Sequence, residues 1–437
     1  MRLETAPGQA QTSSCNTETF RISSAVPFLA RMTSVRSTVK PLVAGLILTL
    51  AQIAVAVCLL APEGPLSHRY ATLIQHDSYW FMNIVDRGYQ TTVPPINHKV
   101  MEVSNVAFFP AYPAIAGLLC RVFDLESDDA LLITAQIAAW GFWTYFFLFC
   151  ERWNLSPTLQ VFGALSIFAH PAAFFLIAGY SESLFLMSLL GFIYWSSAEG
   201  GAAKIWAALH GIAMSATRIV GIPCAAFPIV HSIFTKGLSG RPWNWFRQHL
   251  PAIALTLVAT LGAVFFFIYC QLRWGRWDMY MLTQSAGWGV VPDYLAVFKP
   301  SSYRWLLPPL NDPRQMSQMS MTLGALLFLV LGLCELIPAI RRRTNWRMRV
   351  GFYFCALIIY YVSVSGVAAV EMESMLRYGF CVHALIVLAF LHFLRQFRVP
   401  PLLVRAFGMA VVALGGAAGL TVQVWYVWNF TRGNWVA

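Results

Sequence analysis

Between residues 41 and 428 one apolar stretch of helical length follows another, separated by short polar connectors. Residues 41–61 alone are long enough to cross a hydrocarbon core of about 30 Å. Further apolar segments occupy 106–123, 130–150, 159–177, 183–197, 203–217, 219–234, 250–272, 319–340, 350–370, 378–394 and 402–428. With 58% hydrophobic and 11% charged residues, most of the chain cannot form an ordinary water-facing surface. The expected fold is all-α: a polytopic integral membrane protein of about 9–12 transmembrane or re-entrant helices, some broken by proline.

Charge and cysteine usage exclude several classes. Lys and Arg number 30 against 19 Asp and Glu. In a membrane chain that excess reads as topogenic, not as a nucleic-acid footprint. The nine cysteines are scattered, with no CxxC pair and no Cys/His cluster, so no metal and no disulfide framework is expected. No Gly-rich phosphate loop and no Asp-x-Asp pair is visible, and no cofactor is called for.

The basic residues set an orientation. Arg31, Arg36 and Lys40 precede the first span and put the N-terminus in the cytoplasm. Residues 1–40 read as a disordered cytoplasmic segment ahead of a single membrane domain, 41–437, with Met32 an alternative start. Arg341, Arg342, Arg343, Arg347 and Arg349 are expected to be cytoplasmic, as are linkers 236–247 and 395–405. Three polar patches then share the outer face: a large first loop, 62–105, a second large loop, 273–318, and the segment 371–377. One parity problem arises, because three apolar segments join Phe109 to Tyr180 where an even number must. Residues 159–177, with His170-Pro171 inside, are the expected re-entrant piece.

The first loop carries QHDSYWFMNIVDRGYQ. At a helical period Trp80, Phe81, Ile84 and Val85 fall on one side, and His76, Asn83, Asp86 and Arg87 on the other. Asp77 falls on the apolar side, where an ionised carboxylate is costly without a partner or a task. It is either the N-cap of a short helix or a functional acid. Arg218 interrupts the apolar ATRIVGIP and is a site cation or a snorkelling residue. Arg377 in MESMLRYGF can bind phosphate bidentately or pair with Glu371 or Glu373. Glu182 in GYSESLF is a substrate-binding acid or part of a helix start with Ser181. Arg273, Arg276 and Asp278 with Trp274, Trp277 and Trp288 form a binding loop or an interfacial aromatic belt. His98 and Lys99 are weaker candidates.

Taken in order, HDSYWFMNIVDRGY, AFFPAYP, GYSESLF, ATRIVG, WGRWDMYMLTQSAGWG and MESMLRYG resemble the GPI mannosyltransferase II (PIG-V) type family and its bacterial relatives in the GT-C glycosyltransferase superfamily. The match covers most of residues 75–380. The resemblance implies a multi-pass enzyme, of the bacterial inner membrane or the endoplasmic reticulum according to source. It would move mannose or another hexose from a polyprenyl-phosphate carrier to a glycan, glycolipid or protein acceptor on the extracytoplasmic face. The family places a Trp-Asp pair in the first outer loop with Asp as base. Here the pair reads His76-Asp77, so the acid is kept and its packing neighbour changed. On this reading Asp77 is catalytic, and His76, Glu182, Arg218, Arg276, Trp288 and Arg377 bind substrate. The competing readings are a transporter or flippase for a lipid-linked or small solute, or a non-catalytic subunit of a larger membrane assembly. The enzyme itself could also work with an accessory membrane subunit.

Overall fold

The computed structural model describes residues 28–91, 104–237, 242–309, 311–338, 347–395 and 402–436. The chain divides into two units, 1–40 and 41–437, and everything below concerns the second except the start of its first helix. Helices run α1 Phe28–Ile53, α2 Leu66–Ala71, α3 Asp77–Arg87, α4 Ala111–Phe123, α5 Ser127–Arg152, α6 Pro157–Phe168, α7 Glu182–Ser196 and α8 Gly201–Thr217. They continue with α9 Gly221–Cys224, α10 Phe227–Lys236, α11 Pro242–Trp274, α12 Met279–Trp288, α13 Pro313–Leu336, α14 Arg347–Val367, α15 Met375–Leu394 and α16 Leu402–Phe430. Among the described residues there is no strand. Among the described residues six helical stretches are long and apolar enough to cross a membrane, and α4, α6 and α7 are shorter apolar helices. The protein is a multi-pass helical membrane protein.

The six spans divide by burial. In the span Met375–Leu394, 78% of the most apolar window is buried inside the protein, against 28% for Val39–Leu60 and for Pro242–Trp274 and 22% for Pro313–Leu336. So α15 is the central helix, while α1, α11 and α13 turn most of their apolar surface outward. Leu272, Leu257 and Phe265 of α11 are accordingly exposed, as lipid-facing residues should be. Close approach of α8 and α11 is made by small residues, a common device between membrane helices. A Cβ on Gly262 would lie 2.1 Å from the Ile212 carbonyl oxygen, and Ser215 Oγ donates to the Ala259 carbonyl at 2.6 Å.

Helix ends follow local rules. Ser156 accepts from the Leu159 amide with Pro157 at the first helical position, starting α6, and Asp312 does the same for α13 toward Gln315 with Pro313 behind it. Gly88 ends α3 in a positive-φ conformation and Gly289 ends α12 in a left-handed one.

The helix α1 begins at Phe28, within the 1–40 segment; residues 1–27 lie outside the described residues. Between Phe109 and Tyr180, the 13-residue α4 is shorter than the length that spans a hydrocarbon core of about 30 Å, and Ser127 at the start of α5 donates to Asp86 near the end of α3 at 3.3 Å, which brings the far end of α4 back beside α3. The chain between α6 and α7 does break at His170-Pro171, as expected, but continues through a short 3-10 turn at Ala173–Leu176 back to Tyr180. Arg349, expected in the cytoplasmic basic cluster, is buried at 1% exposure and donates to Glu335 at 2.6 Å, tying α13 to α14, with His392 of α15 at 3.3 Å. His98, Lys99 and the arginines at 341–343 lie outside the described residues.

Candidate functional site

The N-terminus of α3 is held from two sides. Gly179 N donates to the Leu73 carbonyl at 3.1 Å, and a Cβ on Gly179 would meet Ile74 Cδ1 at 2.5 Å and Ser78 Oγ at 2.8 Å. The turn before α7 therefore presses directly on the first turn of α3. At the other end, buried Asn105 donates to Asn83 Oδ1 at 2.7 Å and to the Gly88 carbonyl at 3.0 Å, while its own oxygen accepts from Gln90 N. This fixes AFFPAYP against the helix. Phe81 and Ile84 are buried and Asp86 and Arg87 exposed, as the helical period requires.

Asp77 does not cap α3. His76 occupies the cap position, neither side chain makes a capping bond, and the Asp77 carboxylate turns to Arg377. Arg377 Nη1 donates to Asp77 Oδ2 at 2.6 Å, and its Nε lies 3.2 Å from Glu182 Oε1. Arg218 Nη1 donates to the same Glu182 oxygen at 2.6 Å. Glu371 and Glu373, the rival partners for Arg377, face Arg314 instead at 3.4 and 3.9 Å. Four residues from four separate motifs thus form one chain: Asp77, Arg377, Glu182, Arg218. Two carboxylates and two guanidiniums cancel in formal charge, which is what lets them sit largely buried.

Exposure is graded along the chain. Side-chain exposure is 19% at Asp77, 7% at Arg377, 2% at Glu182 and 16% at Arg218. Glu182 is the buried hinge; Asp77 and Arg218 reach open space. Aromatic faces line the cations: Arg377 lies 5.2 Å from the Tyr180 ring centroid and 5.4 Å from Tyr378, and Arg218 lies 4.8 Å from Tyr378. The sequence reading passed over Tyr180 and Tyr378, although each stands beside or near a chosen residue, in GYSES and LRYG.

All four charged residues line a cavity of about 880 Å³. Its walls also include Phe108, Tyr280, Gln284, Trp288, Glu373 and Trp435, so the first loop, the second loop and the 371–377 segment do meet in one place. Trp288 packs edge-on against Trp80 and Phe108 at 5.4 and 5.7 Å. Gln284 donates to the Ala107 carbonyl at 3.0 Å, fixing α12 over AFFPAYP. Two proposed residues stand off the cavity wall. His76 packs on Trp435 and Phe430. Arg276 is exposed and makes a two-pronged pair with Asp278 at 2.8 and 3.1 Å. That pair holds the Asp278 carboxyl below the usual carboxylate range, through the hydrogen bonds from Arg276. Asp278, not Arg276, reaches the cavity.

Backbone strain gathers here. Among the described residues six non-glycine residues have positive φ; His76 at 51° precedes Asp77, and Glu371, Met372 and Ser374 at 55°, 64° and 67° precede Arg377. Such conformations cost on the order of 1–3 kcal/mol each and persist where the surroundings impose them, which is characteristic of functional sites. The buried side-chain atoms Ser78 Oγ, Tyr180 OH, Glu182 Oε2 and Ser183 Oγ have no hydrogen-bond partner among the described residues. The site has more hydrogen-bonding capacity than its own side chains use.

Comparison with known proteins gives little beyond this geometry. No protein-family model matches the sequence, and no curated protein matches it. The crystal structure of ArnT from Cupriavidus metallidurans in the apo state superposes with a TM-score of 0.47 at 14% identity, over 89% of this chain. The chain spans 64% of the length of that protein.

Proposed function

We propose that the protein is a membrane glycosyltransferase of the GT-C type that takes a sugar from a polyprenyl-phosphate carrier. The observation that carries this reading is the Asp77–Arg377–Glu182–Arg218 chain on the wall of one large cavity. A proton acceptor beside two cations is what transfer from a phosphate leaving group needs. Mannose as the sugar, and a glycan-type acceptor, rest on the ordered motif resemblance alone.

In the reaction, Asp77 takes the proton of the acceptor hydroxyl as its oxygen bonds to the anomeric carbon. The bond from that carbon to the phosphate oxygen breaks, and the electron pair leaves with polyprenyl phosphate. A single displacement inverts the anomeric centre. Arg377 and Arg218 stabilise the charge that grows on the phosphate. Arg377 has a double duty: it holds the Asp77 carboxylate in place through their hydrogen bond, and its guanidinium also faces the donor phosphate. Glu182 keeps both guanidiniums in place throughout.

Transfer of labelled mannose from polyprenyl-phosphate mannose, in membranes carrying the wild type or Asp77→Asn at equal abundance, tests the reading. Transfer by the wild type and not by the variant supports both the activity and the base. Equal transfer by both removes Asp77 from the chemistry. No transfer with any lipid-linked sugar, together with facilitated movement of the lipid across the bilayer, favours a flippase.

A further inference from the structure

The segment after α16 folds back over the start of α3. Gly433 takes a left-handed φ of 79°, Arg432 donates to the Leu60 carbonyl at 3.1 Å, and Val436 is buried at 1% exposure. This brings Trp435 into the cavity wall that also holds Asp77. The Trp435 ring stands perpendicular to the His76 ring at 5.0 Å, and His76 Nε2 donates to the Asn434 carbonyl at 3.1 Å. His76 is thus tied to this segment by a hydrogen bond and a ring contact while its chain neighbour carries the carboxylate. The Trp435 indole N–H is buried and has no acceptor among the described residues.

The charged chain divides the cavity. Arg377, Glu182 and Arg218 make one region cationic and fit for phosphate. Trp435 lies by the Asp77 end and offers an apolar ring face and a single donor. That combination suits a neutral polyol with alternating C–H and O–H faces, and suits an anion poorly. A buried donor without an acceptor is costly unless a ligand supplies one.

Resting on the transferase reading, we propose that Trp435 forms the acceptor subsite: its indole face packs on a sugar ring and its N–H donates to a hydroxyl near the one Asp77 deprotonates. His76 is a positioning residue that acts through the Asn434–Trp435 segment.

The test uses full-length protein labelled with fluorotryptophan in lipid nanodiscs and read by fluorine NMR. The resonance missing from Trp435→Phe identifies Trp435. It is expected to shift with methyl α-mannoside or another methyl hexoside and not with polyprenyl phosphate, and His76→Ala is expected to weaken that shift. In transfer assays Trp435→Ala should raise the acceptor KM by about tenfold or more, with kcat and donor KM within about twofold, and Trp435→Phe should fall between. A resonance that ignores methyl hexosides, or that moves only with polyprenyl phosphate, overturns the proposal even if the wild type transfers sugar. A resonance that responds to methyl hexosides in a protein that transfers no sugar upholds the sugar subsite and removes the transferase reading.

Discussion

Asp77 and Arg377 are 300 residues apart in the chain and 2.6 Å apart in space. This one contact turns two ambiguous residues into a pair, because each had an ordinary alternative role that the structure leaves vacant: Asp77 caps nothing and Arg377 ignores its neighbouring glutamates. Asp77→Asn is nearly isosteric and keeps a hydrogen-bond acceptor for Arg377, which retains Glu182 as its ionic partner; because one carboxylate of the buried chain is still lost, stability is measured alongside activity. Sugar transfer should fall by about 10²–10⁴-fold, the usual worth of a positioned general base. Initial rates at matched protein abundance check this, and a drop smaller than threefold would place the base elsewhere.

Glu182 is shared by two arginines, so its neighbours should behave as a unit. Glu182→Gln leaves two buried guanidiniums with one carboxylate, and breaking a buried pair typically costs about 3–5 kcal/mol. Arg218→Leu leaves Glu182 with Arg377 alone. The double variant should be less destabilised than the sum of the two singles, by a coupling on the order of 1–3 kcal/mol. Denaturant unfolding in detergent measures all four corners of the cycle, and strict additivity would mean that the two side chains do not act on each other.

What could be read from the sequence was local, and what could not was pairing. Each motif announced itself by a charge or a strained pattern in an apolar context: Asp77 in an apolar stripe, Arg218 inside ATRIVGIP, Glu182 and Arg377 at the edges of spans. The helical nature of the chain followed from segment length alone. Nothing in the sequence says that Glu182 faces both arginines, since ion pairs across hundreds of residues leave no periodic trace. The Ser127–Asp86 bond that brings the end of α4 back to α3 joins residues 41 apart and leaves no sequence pattern. The partner of Arg349 is Glu335 in the preceding apolar helix, a pairing that the run of basic residues around Arg349 does not announce. Trp435 joins the site through a fold-back of the segment after α16 that no local motif marks.

Arg276 gives a contrasting prediction. It is exposed, lies off the cavity wall and serves Asp278. The folded carboxyl of Asp278 titrates below its unfolded value of about 3.9. Its contribution is therefore complete above that value and is lost only as pH falls through the lower folded one. The thermal midpoints of the wild type and Arg276→Ala should differ only slightly, because the pair is exposed, with that small difference present from about pH 5 to pH 8 and vanishing as pH falls below about 4. Transfer rates at neutral pH should also match. A large loss of activity in Arg276→Ala at neutral pH would put this residue in the site after all.

Gly179 tests whether the position of Asp77, and not merely its presence, matters. The residue lies between the broken segment after α6 and the first turn of α3, and a methyl group there would sit 2.5 Å from Ile74 and 2.8 Å from Ser78, the residue next to Asp77. Ile74 and Ser78 are both buried, so Gly179→Ala should crowd the start of α3. The stability cost of such overpacking is about 1–3 kcal/mol. The effect on transfer should be larger, about 10²-fold for a displacement of about 1 Å in the reacting group. Gly332→Ala in α13 is the control: nothing lies within 4 Å of the added methyl, and alanine favours the helix, so both activity and stability should be kept or improved. Equal activity in Gly179→Ala and Gly332→Ala, at equal abundance, would show that α3 can move without consequence and would detach Asp77 from the reaction.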